Sequence, residues 1–143
     1  MATNLNAGMI KIVLPNTIGY ERIAMASVAS FARLYGFPAD RIEDLKTVVS
    51  EAAINAMHHG NRGRPDAEVN IVLAYREEVI QVAVMDEGDG IKHRPSKPDI
   101  DRIMNNLDPP IGLGLYLIRE LADEVEFNIE TDRGHGLRFV IRK

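Results

Sequence analysis

The sequence predicts an α+β fold, a two-layer α/β sandwich in which a mixed, mostly antiparallel sheet carries its helices on one face. Three observations carry that expectation. Apolar and polar residues alternate along Val69, Ile71, Leu73 and Tyr75, and again along Val125, Phe127 and Ile129, the period of strands with one buried face. Two longer segments before residue 60 repeat apolar residues every three to four positions, the period of helices. Short polar turns at Arg76-Glu77-Glu78 and Asp132-Arg133-Gly134 join neighbouring strands, a connection available to antiparallel pairs.

In chain order, residues 1–8 are small and polar, and Met9 to Leu14 reads as a short strand stopped by Pro15. Asn16 or Thr17 can cap a helix reaching about Tyr35, with Ile23, Val28, Phe31 and Leu34 or Tyr35 as its apolar face and Gly36 as its stop. Asp40 with Glu43 three residues later is a capping-box-like start for a longer second helix. Its buried stripe is Ile42, Leu45, Val49, Ala52 or Ala53 and Ala56, and Gly60 ends it. Val79 to Met85 is apolar enough at Val82, Val84 and Met85 to lie centrally, and it delivers Asp86 to its end. Periodicity disappears from Ile91 to Ile111, a stretch with four prolines and at most one short helix near Asp99 to Asn106. Leu115 to Asp123 resumes a helix with Leu117, Ile118 and Leu121 inward, and Leu137, Phe139 and Ile141 close a final strand.

Composition narrows the function classes. A length of 143 residues suits one domain, 1–143, large enough to close a core without staples. A net charge of -4 leaves no electrostatic footprint for nucleic acid or an anionic membrane. With no cysteine there are no disulfides, thiolate metal sites or thiol nucleophile. No apolar run reaches the roughly 18 residues of a membrane span, and the N-terminus lacks a basic-then-apolar leader, so a cytoplasmic protein is expected.

The chemistry gathers in three places. The stretch VVSEAAINAMHHG, Val48 to Gly60, is apolar on one side and carries Glu51, Asn55 and His58 on the other. Spacings of four and three stack a carboxylate, an amide and an imidazole on one helical face. The Asn55 carbonyl oxygen could serve a hard divalent cation bridging phosphates, and Glu51, one turn earlier, could orient or deprotonate an attacking hydroxyl. A solvated helix face is the plain alternative. His58 and His59 read as structural or rim residues, since nothing else supplies a matching metal-ligand set. The second place is DEGDG, Asp86 to Gly90, directly after a buried strand. Gly88 and Gly90 let backbone approach a flat ligand, and the acceptor-only Asp86 carboxylate suits an amino-bearing partner such as the adenine exocyclic amine. An ordinary β-turn has the same composition. The third is GLG, Gly112 to Gly114, opening a helix whose free amides and dipole favour phosphate, although many helices start after glycine. It is no P-loop, because no GK[ST] follows, and DEGDG lacks the third glycine of a dinucleotide fingerprint.

Taken together, KTVVSEAAINAMHHG (Lys46 to Gly60), VMDEGDGI (Val84 to Ile91) and IGLGLYLIRELADEV (Ile111 to Val125) resemble the ATP-binding boxes of the GHKL superfamily, gyrases and histidine kinases among them. The resemblance is closest to its small branch, the anti-sigma-factor serine/threonine kinases of bacterial sporulation and general stress response, and it covers nearly the whole chain. It implies the GHKL (Bergerat) ATP-binding fold, ATP and Mg2+ as cofactors, and Glu51 as the catalytic residue assisting a substrate serine hydroxyl. Asn55 would bind magnesium, and Asp86 would receive the adenine amine, with Gly88 and Gly90 lining the base. Gly112, Leu113, Gly114 and Leu115 would form the phosphate-side segment, and Ile91 to Ile111 the ATP lid. Such kinases bind a sigma factor as homodimers and phosphorylate a serine on a STAS-type anti-anti-sigma protein. Arg22 falls on a family position that contacts protein partners.

Two features depart from the family pattern. GHGL places His135 and Leu137 around Gly136 where a G-T pair is usual, and Pro109-Pro110-Ile111 puts no basic side chain ahead of Gly112, leaving Lys92, Arg94, Lys97 or Arg102 for cationic help. The leading expectation is thus an ATP- and magnesium-dependent protein serine kinase that sequesters a sigma factor. The alternative is a non-catalytic ATP-binding partner-switching module acting on another target. A detached histidine-kinase catalytic domain is disfavoured, because no dimerisation helix pair precedes Met9.

Overall fold

The computed structural model describes residues 8–88, 113–131 and 134–143. Five strands, β1 (Met9–Pro15), β2 (Glu68–Arg76), β3 (Val79–Asp86), β4 (Glu124–Thr131) and β5 (Gly134–Arg142), form one sheet in the order β1-β2-β3-β5-β4. All four pairings are antiparallel, so the parallel component of the expected mixed sheet is not found among the described residues. β3 is the central strand, in agreement with its apolar sequence, and Asp86 ends it opposite His135. Pro15 occupies the last position of an edge strand, where a missing N–H is tolerated.

Three helices, α1 (Glu21–Leu34), α2 (Ala39–Asn55) and α3 (Leu113–Leu121), cover one sheet face. Their inward residues and the alternate residues of the strands make one cluster that includes Val28, Leu45, Ile71, Ile80, Ile118 and Phe139. Each of these fully buried side chains contributes about 1.5–3 kcal/mol relative to exposure. On the other sheet face Val72, Ala74, Ala83 and Met85 stay half-exposed.

Several local expectations are corrected. Neither Asn16 nor Thr17 caps α1, which begins at Glu21 without a side-chain cap; Glu21 instead accepts the Gly19 N–H (2.6 Å). Asn16 is buried and spends its amide elsewhere. The stripe that packs is Ala24, Val28, Phe31 and Ala32, and Ile23 (51% exposed) and Leu34 (76%) face away from the core. The alanines let α1 lie close on α2, which leaves the bulky residues to the outer flank. Gly36 does stop the helix, at φ +74°. The capping box at Asp40 is not formed, because extended Pro38 is the N-cap and its carbonyl accepts the Ile42 N–H (3.0 Å). In α3 Ile118 is buried and Leu115, rather than Leu117, packs against the core beside Leu121.

The long second helix does not run as an α-helix to Gly60. After Asn55 its hydrogen bonds lengthen to a π turn, Ala56–Gly60, in which the Asn61 N–H reaches the Ala56 carbonyl (2.7 Å). Single π turns inside helices often mark functional sites.

Candidate functional site

A cleft opens where the end of α2, the π turn, the end of β3 and the sheet edge formed by β5 and β4 converge. Asn55, Gly60, Val84, Asp86 and Gly136 line it, with Asn128 of β4 at φ +58° beside a shift in the β4–β5 register. Motifs that lie far apart in the sequence therefore share one wall.

Glu51 and Asn55 sit one turn apart on α2, as their spacing requires. α3 begins against them: a Cβ on Gly114 would lie 2.5 Å from Glu51 Oε2 and 3.5 Å from Asn55 Nδ2. A side chain there would displace the Glu51 carboxylate, and the first turn of α3, whose amides have no partner inside the helix, starts at this spot. Burial raises the Glu51 carboxyl above the ordinary carboxylate range. Asn55 Nδ2 is buried with no hydrogen-bond partner among the described residues. A donor in that state costs about 1–3 kcal/mol unless an acceptor arrives, and an anionic oxygen is such an acceptor.

At the other end of the cleft Asp86 is 7% exposed. A Cβ on Gly60 would fall inside its carboxylate, 2.7 Å from Asp86 Cβ, and one on Gly88 would strike the Gly60 carbonyl. The π turn and the DEGDG turn thus interlock through glycine. Burial pushes the Asp86 carboxyl up, opposed by the hydrogen bond from the Gly88 N–H (2.7 Å) and by the charges of His135 and Arg64. Oδ1 is engaged inside the turn by the Gly88 N–H, and Oδ2 packs against Gly60.

The sequence-predicted residues are therefore partly assembled. Glu51, Asn55 and Gly114 meet, and Asp86 and Gly88 meet across the cleft from them. Gly90 and Gly112 lie outside the described residues, as do the expected lid over 91–111 and its lysines and arginines. Leu113 is the first residue of α3, and the Leu115 side chain belongs to the core. Arg22 is exposed on α1 and lines a separate groove with Met25, Ala29, Ser30 and Arg33. His58 and His59, on the π turn, are exposed, so His58 does not continue the stripe. Among the described residues no three His, Cys, Asp or Glu side chains gather to hold a metal.

Three contributors escaped the motif reading. The first is the π turn itself. The second is His135, whose Nδ1 donates to the Gly88 carbonyl (2.5 Å) while its Nε2 lies 3.0 Å from Glu130 Oε1, so the residue that replaces the G-T pair braces the turn after Asp86. The third is Asn61, fully buried and bonded to the Glu87 N–H (2.7 Å). An asparagine inside a polar segment, NRGRPD, gives no burial signal; the only cue is its place directly after Gly60.

Residues 14–141 match the family model described as the histidine kinase-like ATPase domain. The chain belongs to that family. Among curated relatives, the anti-sigma F factor of Clostridium beijerinckii is 30% identical over 131 residues, covering 86% of this chain and 85% of that protein. The serine-protein kinase RsbW of Bacillus subtilis is 34% identical over 125 residues, covering 84% and 78%. The RsbW of Listeria monocytogenes is 32% identical over 121 residues, covering 82% and 77%. A crystal structure of the RsbU and RsbW domains of a Mycobacterium tuberculosis protein superposes with a TM-score of 0.63 at 17% identity over 94% of this chain, a likeness of fold. The chain spans 31% of that larger protein.

Proposed function

We propose that this chain is an ATP-dependent protein serine kinase and anti-sigma factor: it binds a sigma factor and phosphorylates a serine on a STAS-type anti-anti-sigma protein. The observation that carries the reading is the Glu51 carboxylate set against Gly114 at the start of α3, one helical turn from an Asn55 Nδ2 without a partner among the described residues. The names of the relatives, anti-sigma F factor and serine-protein kinase, point the same way.

The residues fit a nucleotide laid along the cleft. Asp86 would accept the adenine amine, with Gly60 and Gly88 letting the two turns close around its carboxylate. The α3 amides at Leu113, Gly114 and Leu115 would face phosphate oxygens. Asn55 would supply one oxygen to Mg2+, the remaining ligands coming from phosphates and water, as suits a metal rarely caged by protein alone. Bound there, the metal would offset the phosphate charge beside Glu51.

Glu51 would accept the proton of the substrate serine hydroxyl as its oxygen bonds to the γ-phosphorus and the bridge to the β-phosphate breaks, releasing ADP. Burial that raises the proton affinity of Glu51 suits a base. The rest of catalysis would be positioning. A homodimer, with the outer sheet face and the exposed Met9, Ile10 and Val13 of β1 as the available apolar surface, completes the proposal, along with a cytoplasmic location; no helix of the described residues is long and apolar enough to cross a membrane.

Incubation with γ-labelled ATP and purified STAS proteins tests the reading. Phosphoprotein should form with the wild-type chain and not with Glu51→Ala, which should still bind nucleotide, whereas Asp86→Asn should bind it weakly. Nucleotide binding without any phosphoprotein would leave only a partner-switching module. Full activity of Glu51→Ala would remove the assigned base.

A further inference from the structure

Two buried asparagines stand outside every motif. Asn61 is 0% exposed and Asn16 9%, and their carboxamides bind each other, Asn61 Nδ2 donating to Asn16 Oδ1 (3.2 Å). Asn16 Nδ2 donates to the carbonyls of Arg64 (2.8 Å) and Met57 (3.4 Å), which turns its oxygen toward Asn61. Asn61 Nδ2 also donates to the Glu68 carbonyl (3.0 Å), leaving its Oδ1 to accept the Glu87 N–H (2.7 Å). Flipping the Asn61 amide would set oxygen against oxygen at two partners and donor against donor at the third. One orientation alone satisfies every group.

That bond lands on the peptide joining Asp86 to Glu87. The neighbouring groups of the turn are held as well: Arg64 Nη2 donates to the Glu87 carbonyl (3.4 Å), the Gly88 N–H donates to Asp86 Oδ1, and His135 holds the Gly88 carbonyl. Asn61 supplies the hold on the peptide plane immediately after Asp86, and rotation of that plane would swing the Asp86 carboxylate in the cleft. The anchor is rigid, because Asn61 is itself tied to the end of β1 through Asn16 and to the start of β2 through Glu68.

We propose that Asn61 is a positioning residue for nucleotide recognition: through the Glu87 N–H it aims the Asp86 carboxylate at the base, and its bond to the Glu68 carbonyl holds the orientation of its amide even without Asn16. The proposal rests on the reading of Asp86 as the base-binding carboxylate. Asn61 touches neither Glu51 nor Asn55 in any hydrogen bond described, so its loss should act on nucleotide affinity and spare the chemical step.

In the intact chain, Asn61→Ala is expected to raise KM for ATP roughly tenfold with kcat within about twofold of wild type, the effect of losing the hydrogen bond to the Glu87 N–H. Asn16→Ala breaks buried bonds of the same kind but none to the turn, and should leave KM within about twofold. Equal KM shifts in the two variants, or a fall confined to kcat, would overturn the proposal. If Asn61→Ala does not fold, Asn61→Asp, which keeps the acceptor toward Glu87, should hold KM near wild type despite lower thermal stability; a raised KM there would overturn it too. Amide hydrogen exchange without nucleotide separates this idea from the kinase reading. Exchange at Glu87 and Gly88 should quicken at least tenfold in Asn61→Ala, or in Asn61→Asp relative to wild type stay unchanged, with Val82 and Val84 unaffected in both. Absence of ATP turnover in the wild-type chain would sink the kinase reading, while unaltered Glu87 exchange in Asn61→Ala would sink this one.

Discussion

Gly114→Ala separates stability from activity in a direction that can be computed from the contacts. In the interior of a helix, alanine is favoured over glycine by up to about 1 kcal/mol, so the propensity of α3 should rise. The new methyl would meet Glu51 Oε2 at 2.5 Å, and relief to the 3.4 Å of ordinary contact requires the carboxylate to retreat by about 0.9 Å. That retreat is cheap for stability, because the atom is the far end of a flexible side chain. It is expensive for chemistry, since a misplacement of about 1 Å can cost on the order of 100-fold in rate, near 2.7 kcal/mol. Steady-state phosphorylation of a STAS substrate should show kcat reduced roughly 100-fold, while thermal unfolding of the apo protein shows Tm unchanged or a few degrees higher. Wild-type kcat in Gly114→Ala would refute the placement of Glu51 at the reacting centre. A fall in Tm of more than a few degrees would show that the α3–α2 contact cannot relax as described.

Burial raises the proton affinity of Glu51 in the folded state above its ordinary value of 4.5, so the native chain holds the extra proton in the window just above that value and loses stability as pH rises through it. Glu51→Gln should therefore melt higher than wild type at pH 8, with the gap closing below about pH 4, and calorimetry across that range checks the sign. Asn55→Ala removes a buried donor that lacks an acceptor among the described residues, so apo stability should hold within about 1 kcal/mol while Mg-ATP affinity, read by titration calorimetry, falls more than tenfold. Gly60→Ala drives a methyl into the Asp86 side chain, where both neighbours are anchored; urea unfolding should report a loss of about 1–3 kcal/mol, with nucleotide binding abolished. Glu77 and Glu78 both turn the β2–β3 hairpin at positive φ (+51° and +70°), so Glu77→Asn with Glu78→Gly should stabilise by about 1–2 kcal/mol in the same assay without touching activity.

The sheet was legible because each strand shows one face to a core: Val69, Ile71 and Leu73, like Leu137, Phe139 and Ile141, are all buried as their alternation demands. The site was legible where side-chain chemistry and helical spacing coincide, at Glu51 and Asn55, and where glycine follows a buried strand, at Asp86 to Gly88. Helix starts were less so. Asn16 has the composition of a cap, yet its amide finds three partners inside the fold, two of them buried, and the local cap is left unmade. Asp40 fails for a different reason: Pro38, held extended, starts the helix earlier. On α1 apolar residues exceed what one stripe can bury, and periodicity alone does not say that Ile23 and Leu34 are the surplus. Asn61 was invisible because burial of a polar residue depends on partners that arrive from β1, β2 and β3.

The π turn accounts for the most consequential of these differences. In an α-helix the residue stacked above Asn55 is three or four positions on, His58 or His59. With the hydrogen-bond step widened to five, Gly60 lines the cleft with Asn55, and Gly60 is the residue whose missing side chain admits the Asp86 carboxylate. The same shift carries His58 and His59 into solvent and sets Asn61, one residue further, in the buried position from which it reaches Glu87. A change of one residue in backbone pairing thus joins the Asn55 and Asp86 ends of the cleft, and it leaves composition untouched, so it could be found only where the hydrogen bonds are seen.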